Sequence, residues 1–168
     1  MRFTESTEFV HYLQVHGQHA GPTQRPVMAG LITGFIASLI ALGVLYGTGG
    51  LPLLSERLGI SVTSIVIIHI ALATVEGMIY GLLLGRAANA KRSAWLFGIT
   101  YGYFLWVAGP VMLFELIFSV PVARYDLGIP IITSHLIYGI SLGILFPYIH
   151  APLHRRLTHM DLSKYGYG

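Results

Sequence analysis

Four long apolar stretches, separated by short polar segments, make up most of this chain. The stretches cover residues 27–46, 60–85, 94–120 and 129–149. Within them, only Glu76 and Glu115 carry a formal charge. A helix needs about 20 predominantly apolar residues to cross the hydrocarbon core of a bilayer. The pattern therefore predicts an all-α, polytopic membrane protein with four transmembrane helices.

The composition and the segment lengths favour a single bundle. Hydrophobic residues make up 54% of the chain and charged residues 10%, whereas a soluble domain carries about 25% charge. Short connections predict an antiparallel four-helix bundle over residues 26–150, with tails at 1–25 and 151–168 at the membrane surface. We expect loops around residues 49–59 and 121–128, and a kink at Gly109-Pro110, because proline removes a helical hydrogen bond.

Basic residues concentrate on one side of the predicted bundle. That side carries Arg2, Arg25, Arg86, Lys91, Arg92, Arg155, Arg156 and Lys164. The opposite side carries only Arg57 and Arg124. Because loops rich in lysine and arginine stay in the cytoplasm, both termini are predicted to be cytoplasmic.

Glycines recur at every fourth position in the apolar stretches. They are Gly30, Gly34, Gly77, Gly81, Gly85, Gly98, Gly102, Gly139 and Gly143. Small residues at this spacing let membrane helices approach closely, so we expect helix-packing seams like a glycine zipper. The motif Tyr-Gly-x-x-Leu-Gly occurs at Tyr80 and again at Tyr138. Two helical hairpins related as an internal repeat are predicted, with Gly77 in the position of His135.

The sequence His-x-x-Tyr-Gly-x-x-Leu-Gly at residues 135–143 resembles the YagU-like group of small bacterial inner-membrane proteins. The resemblance covers the four apolar stretches and implies a four-helix protein of the bacterial inner membrane. It implies no reaction and no catalytic residues, and Gly77 departs from the motif in the second stretch.

Four ionisable side chains fall inside the stretches, where such groups are costly and often functional. His69, His135 and Glu115 are predicted at similar depths on three helices. The two histidines would suit haem b or a chlorophyll-type pigment, and all three residues would suit a metal ion. The alternative is that each histidine donates a hydrogen bond across a helix seam.

Glu76 lies near the predicted middle of the membrane. Its spacing places it on one helix face with His69 and Tyr80. Glu76 and Tyr80 are therefore candidates for proton or cation movement. The alternative is a hydrogen-bonded carboxyl group that ties helices together.

These features favour a non-catalytic accessory subunit of a larger membrane complex over two alternatives. One alternative is a redox or pigment subunit using His69 and His135; the other is an oligomeric proton or cation transporter using Glu76. We expect the bilayer, other membrane subunits or a second copy as partners, and neither nucleic acid nor catalysis. The chain has no cysteine, which excludes disulfides and cysteine nucleophiles.

Overall fold

The computed structural model describes residues 25–121 and 125–164, and this part of the chain is helical with short connections. The helices are α1 (Arg25–Gly47), α2 (Gly50–Leu58), α3 (Val62–Leu84), α4 (Ala94–Trp106) and α5 (Tyr125–Lys164). A π-helical segment, Val107–Ile117, continues α4, and a short 3₁₀ turn, Ala87–Asn89, precedes it. We call α4 together with its π-helical continuation the third span.

Four helices are long and apolar enough to cross a membrane. They are Pro26–Gly47, Val62–Leu84, Ala94–Ile117 and Asp126–Leu153. The predicted all-α polytopic fold is therefore confirmed. The last helix runs beyond the predicted limit at residue 149 and continues to Lys164, although three prolines lie inside it. The predicted amino-terminal tail lies outside the described residues, apart from Arg25.

Many large apolar side chains point outward from this bundle, whereas alanines are buried in its interior. Leu82, Leu83 and Leu116 are each about two-thirds exposed, whereas Ala37 and Ala41 are fully buried. A soluble protein would bury the leucines, because exposing them to water is costly. In lipid, leucine meets a solvent as apolar as itself, and close packing of small residues holds the helices together.

Eight of the nine predicted glycines lie where neighbouring backbones nearly touch, and the ninth, Gly85, lies against the side chain of Pro26. A Cβ atom on Gly34 would lie 2.8 Å from the Cα of Gly77, across the contact between α1 and α3. A Cβ atom on Gly98 would lie 2.8 Å from the Cα of Gly143, across the contact between α4 and α5. Real Cβ atoms do not approach so closely. Any side chain at these positions would therefore push the two helices apart.

The two hairpins, α1–α3 and α4–α5, use the same set of backbone contacts. The equivalent contacts are Gly30–Gly77 with Gly98–Gly139, and Gly34–Ala73 with Gly102–His135. Gly139 thus corresponds to Gly77, and His135 corresponds to Ala73. The sequence pattern had paired His135 with Gly77, which is wrong by one helical turn. Glycines repeating every fourth residue make such a slip invisible in the sequence.

The helices lie side by side in the order α3, α1, α5, α4. α1 packs along both α3 and α5, and α5 packs along α4. The pair formed by α3 and the third span has no such extensive packing. Tyr101 of the third span contacts Tyr80 of α3, and the centroids of the two rings are 5.2 Å apart. A space therefore remains between α3 and the third span.

Helix α2 departs from the sequence prediction and lies at one end of the bundle. The expected loop at residues 49–59 contains the helix α2, bounded by Gly49 and Gly59 in the left-handed conformation, with φ of 73° and 66°. Glycine adopts this conformation without a steric penalty. Arg57 of α2 reaches Asp126 at the start of α5, 3.5 Å away, so α2 bridges to the last helix.

The third span does not end at Pro110 but continues through it as a wider, π-helical segment. From Val107 onward the backbone is π-helical, and the Phe118 amide donates to the carbonyl of Leu113, five residues earlier. A proline inside a helix leaves its carbonyl partner unpaired, and a π-helical turn is one way to absorb that defect. Residues after Pro110 consequently point in directions that α-helical spacing does not predict.

Candidate functional site

A cavity of about 520 Å³ occupies the space between α3 and the third span. Small-molecule sites in proteins commonly have volumes of about 300–1,000 Å³. Its α3 wall consists of Ile65, Ile68, His69, Leu72, Ala73 and Glu76. Its third-span wall consists of Leu105, Gly109, Pro110, Leu113 and Phe114. Ile131, Ser134, His135 and Tyr138 of α5 line it as well. We call this cavity the cleft.

The rim of the cleft is apolar and exposed on both sides. Ile68 and Leu72 on α3 are 48% and 57% exposed, and Leu113 on the third span is 41% exposed. All three residues lie within helices that are long and apolar enough to cross a membrane, so in a bilayer their exposed side chains would meet lipid. A molecule dissolved in the membrane can therefore enter sideways, between α3 and the third span.

Two tyrosines narrow the cleft at the end away from α2. The hydroxyl of Tyr138 donates to the carbonyl of Ala73 at 2.6 Å, and that of Tyr101 donates to the carbonyl of Glu76 at 2.8 Å. Both bonds fasten α3, one to α5 and one to α4. No pattern in the sequence indicates either hydrogen bond, because the partners are backbone carbonyls of a distant segment.

When the two hairpins are aligned by their equivalent backbone contacts, the α3 and α5 residues that line the cleft occupy corresponding positions. The matched positions are His69 with Ile131, Leu72 with Ser134, Ala73 with His135, and Glu76 with Tyr138. At the first three positions one helix supplies a polar side chain and the other an apolar one. The cleft thus acquires its polar groups from differences between the hairpins.

The two intramembrane histidines line the same cleft. The Nδ1 atom of His135 lies 2.8 Å from the carbonyl oxygen of Ile131, one turn earlier in α5. His69 lies beside the backbone carbonyl of Ser38 on α1. The imidazoles are close enough to interact electrostatically. The structure therefore brings together the pair that the sequence singled out.

These backbone contacts determine what the histidines offer to a ligand. A buried imidazole in hydrocarbon is neutral, because burying a charge without a partner is costly. The nitrogen that contacts a carbonyl then carries the proton, and the other nitrogen keeps its lone pair. The Nε2 atom of His69 is buried and has no hydrogen-bond partner among the described residues. We assign the same free lone pair to Nε2 of His135.

Glu76 lines the cleft near its tyrosine-closed end. Its side chain is close enough to Tyr101 and Tyr138 for electrostatic interaction. Within the described part of the chain, no donor forms a hydrogen bond to its carboxyl group. Tyr80, the predicted companion of Glu76, does not line the cleft. Its ring is fully buried between Tyr101 and Phe146.

Glu115 is not part of the cleft lining. The residues described here contain no group of three or more histidine, aspartate or glutamate side chains that would hold a metal ion. The predicted three-residue set of His69, His135 and Glu115 is thus not assembled. Glu115 follows Pro110 in the π-helical segment, where the extra residue in each turn changes the direction of the side chain.

The chain was compared with protein-family models, curated proteins and solved structures. No protein-family model, no curated protein and no solved structure matches the chain.

Proposed function

We propose that the protein binds a membrane-dissolved, partly apolar molecule in the cleft between α3 and the third span. The observation that carries this proposal is an apolar cavity with an exposed rim, lined by a buried nitrogen that has no hydrogen-bond partner among the described residues. An unsatisfied polar atom in hydrocarbon costs several kcal/mol in a fully apolar reference and about 1–3 kcal/mol in proteins. A ligand that engages this atom recovers that free energy.

The polarity of the cleft restricts the ligand. His69 and His135 present lone pairs, and Glu76 adds an acceptor or a single proton about 10 Å further along α3, at 1.5 Å per residue. The matching ligand has a head that donates hydrogen bonds or accepts an electron pair. The rest of the ligand is apolar and passes between the leucines and isoleucines of the rim.

The charge distribution supports a position for the cleft in the outer half of the membrane. Arg86, Lys91 and Arg92 lie at the end of the bundle opposite α2, and the positive-inside rule assigns that end to the cytoplasm. The cleft extends from Leu58, the last residue of α2, to Glu76. We therefore propose that ligands enter from the leaflet facing away from the cytoplasm.

In this proposal the chain is a binding subunit without a reaction of its own. The accessory role in a larger complex remains a prediction, whose sign is co-migration with a larger assembly in mild detergent. Transport through Glu76 also remains a prediction. Glu76 lines a cleft that opens sideways to lipid, so an oligomer would be required to enclose a path.

Blocking the cleft tests the proposal. Gly109 lines the cleft and has open space where a Cβ atom would be, so Gly109→Phe fills the cavity. Gly43 also faces open space but lies outside the lining, so Gly43→Phe is the matched control. Mass spectrometry of gently solubilised protein should find a lipid-soluble molecule with the wild type and with Gly43→Phe, but not with Gly109→Phe. Equal recovery from all three proteins would refute binding in the cleft.

A further inference from the structure

We infer that the cleft binds a metal-centred tetrapyrrole through axial bonds from His69 and His135. This inference rests on the proposed function and specifies the class of ligand. Two imidazoles on separate helices line one apolar cavity, and each has its other nitrogen directed to a backbone carbonyl. Histidines that ligate metals usually donate their second nitrogen to a carbonyl or carboxylate, which fixes the tautomer.

The free lone pairs exclude many ordinary ligands. A quinone or an ester head offers only acceptors, which would leave Nε2 of both histidines unpaired. A single hydroxyl group can satisfy one of the two nitrogens. A metal ion accepts electron pairs from two nitrogens at once. Two acceptors that line one cavity therefore suit a metal centre better than a simple lipid alcohol.

The number of protein ligands then favours a macrocycle over a bare ion. Structural and catalytic transition-metal sites use three or four protein ligands. Within the described ranges, no third histidine or carboxylate joins His69 and His135 to form such a group. A tetrapyrrole supplies four nitrogens itself and requires only one or two axial ligands from the protein. Two histidines are sufficient for that geometry.

The surroundings of the histidines also suit a flat, apolar molecule. The cleft wall around them consists of aliphatic side chains, Phe114 and the backbone at Gly109 and Pro110. The open rim at Leu72 and Leu113 gives a membrane-dissolved macrocycle a route into the cleft.

Titration of the detergent-solubilised full chain with haemin and, separately, with zinc protoporphyrin tests this inference. Wild type should bind one haemin per chain and show the spectrum of a six-coordinate, low-spin iron. His69→Ala and His135→Ala should each lose that spectrum and bind at least about tenfold more weakly, a loss of about 1.4 kcal/mol. Added imidazole should restore six-coordination in both. Zinc in a porphyrin takes a single axial ligand, so tighter binding of the zinc compound than of haemin would contradict ligation by both histidines.

Two control variants separate axial ligation from general damage. Glu115→Gln alters an intramembrane carboxyl group outside the cleft lining, and His150→Ala removes a histidine that stacks on Phe146 away from the cleft. Both should keep the wild-type spectrum. Circular dichroism and gel filtration of each variant establish that the helical bundle has formed.

Two outcomes overturn the inference in distinguishable ways. If the His69→Ala, His135→Ala double variant binds both tetrapyrroles as tightly as wild type, axial ligation is wrong. Cleft binding then still stands, provided that Gly109→Phe abolishes recovery of some other lipid-soluble molecule. If Gly109→Phe changes neither tetrapyrrole binding nor recovery of any molecule, the proposed function fails together with the inference. Retention of the six-coordinate spectrum by one single variant removes that histidine from the assignment.

Discussion

Buried polar atoms in this bundle fall into two groups, paired and unpaired. The hydroxyls of Tyr101 and Tyr138 donate to carbonyls of α3, whereas the hydroxyl of Tyr80 and Nε2 of His69 have no partner among the described residues. Spacing along α3 places Tyr80 near Glu76, but the tyrosines that approach Glu76 electrostatically come from other helices. Such partners depend on tertiary packing, so helical periodicity could not identify them.

The two groups of tyrosines should respond differently to loss of the hydroxyl. Tyr138→Phe removes a 2.6 Å hydrogen bond to Ala73 and should lower the free energy of unfolding by about 1 kcal/mol. Tyr80→Phe removes only an unpaired hydroxyl and should leave stability unchanged or slightly higher. Thermal unfolding in matched detergent measures both. Equal losses for the two variants would contradict the assigned bonding.

Replacing His69 should stabilise the ligand-free protein. His69→Leu removes a buried nitrogen without a partner and leaves an apolar side chain of similar size, so the free energy of unfolding should rise by about 1 kcal/mol. Wild type saturated with its ligand should then be more stable than this variant. A lower melting temperature for ligand-free His69→Leu would show that the contact of His69 with the carbonyl of Ser38 stabilises the protein by more than the unpaired nitrogen destabilises it.

Glycine seams organise the helices at the next scale. Gly77→Ala would place a Cβ atom against the carbonyl of Gly30 and 2.6 Å from the Cα of Gly34. Such overpacking should cost about 2 kcal/mol or more. Gly43→Ala, where a Cβ atom meets open space, should be neutral or stabilising. Unfolding of the two variants in parallel measures the difference, and equal stability would mean that the α1–α3 contact is looser than described.

The same substitution in the second hairpin tests the equivalence of the seams. A Cβ atom on Gly139 meets the carbonyl of Gly98 and lies 2.9 Å from the Cα of Gly102, which repeats the surroundings of Gly77. Gly139→Ala should therefore destabilise the protein about as much as Gly77→Ala, by about 2 kcal/mol. A neutral effect would show that only the first hairpin depends on close backbone contact.

The elements themselves divide into those that hydropathy identifies and those that it does not. The four membrane-length helices follow from uninterrupted apolar runs, because hydrocarbon requires every backbone group to bond within its own helix. The sequence predicts a loop where helix α2 lies, because Gly49, Pro52 and Gly59 are typical turn residues. The π-helical segment was expected as a kink, since spacing arguments assume α-helical geometry throughout.

At the scale of the whole molecule, the order of the helices in space was beyond sequence reasoning. Short loops imply antiparallel neighbours, which accounts for the α1–α3 and α4–α5 hairpins. Nothing in the residue pattern says that α1 packs along α5 while α3 stays apart from the third span. The histidines could be chosen from their depth in the membrane, but the cleft that contains both depends on this arrangement.

Orientation in the membrane can be tested directly, because the chain has no cysteine. Lys91→Cys and Glu56→Cys introduce single thiols at opposite ends of the bundle. A membrane-impermeant maleimide should label Glu56→Cys in intact cells and Lys91→Cys only in inverted vesicles. Cysteine-free wild type is the control for background labelling. The reverse result would place the cleft in the cytoplasmic half of the membrane.

The two contacts between the hairpins are unequal, because α1 packs along α5 whereas α3 stays apart from the third span. This inequality bears on whether the two hairpins could be separate, identical chains. Two identical hairpins meeting about a twofold axis make the α1–α5 type of contact twice, so both sides are either shut or open together. One continuous polypeptide frees the halves to differ, with His135 at the position that corresponds to Ala73 and Tyr138 at the position that corresponds to Glu76. Joining the halves in one chain thus permits one closely packed contact, which stabilises the fold, and one open contact, which can admit a ligand.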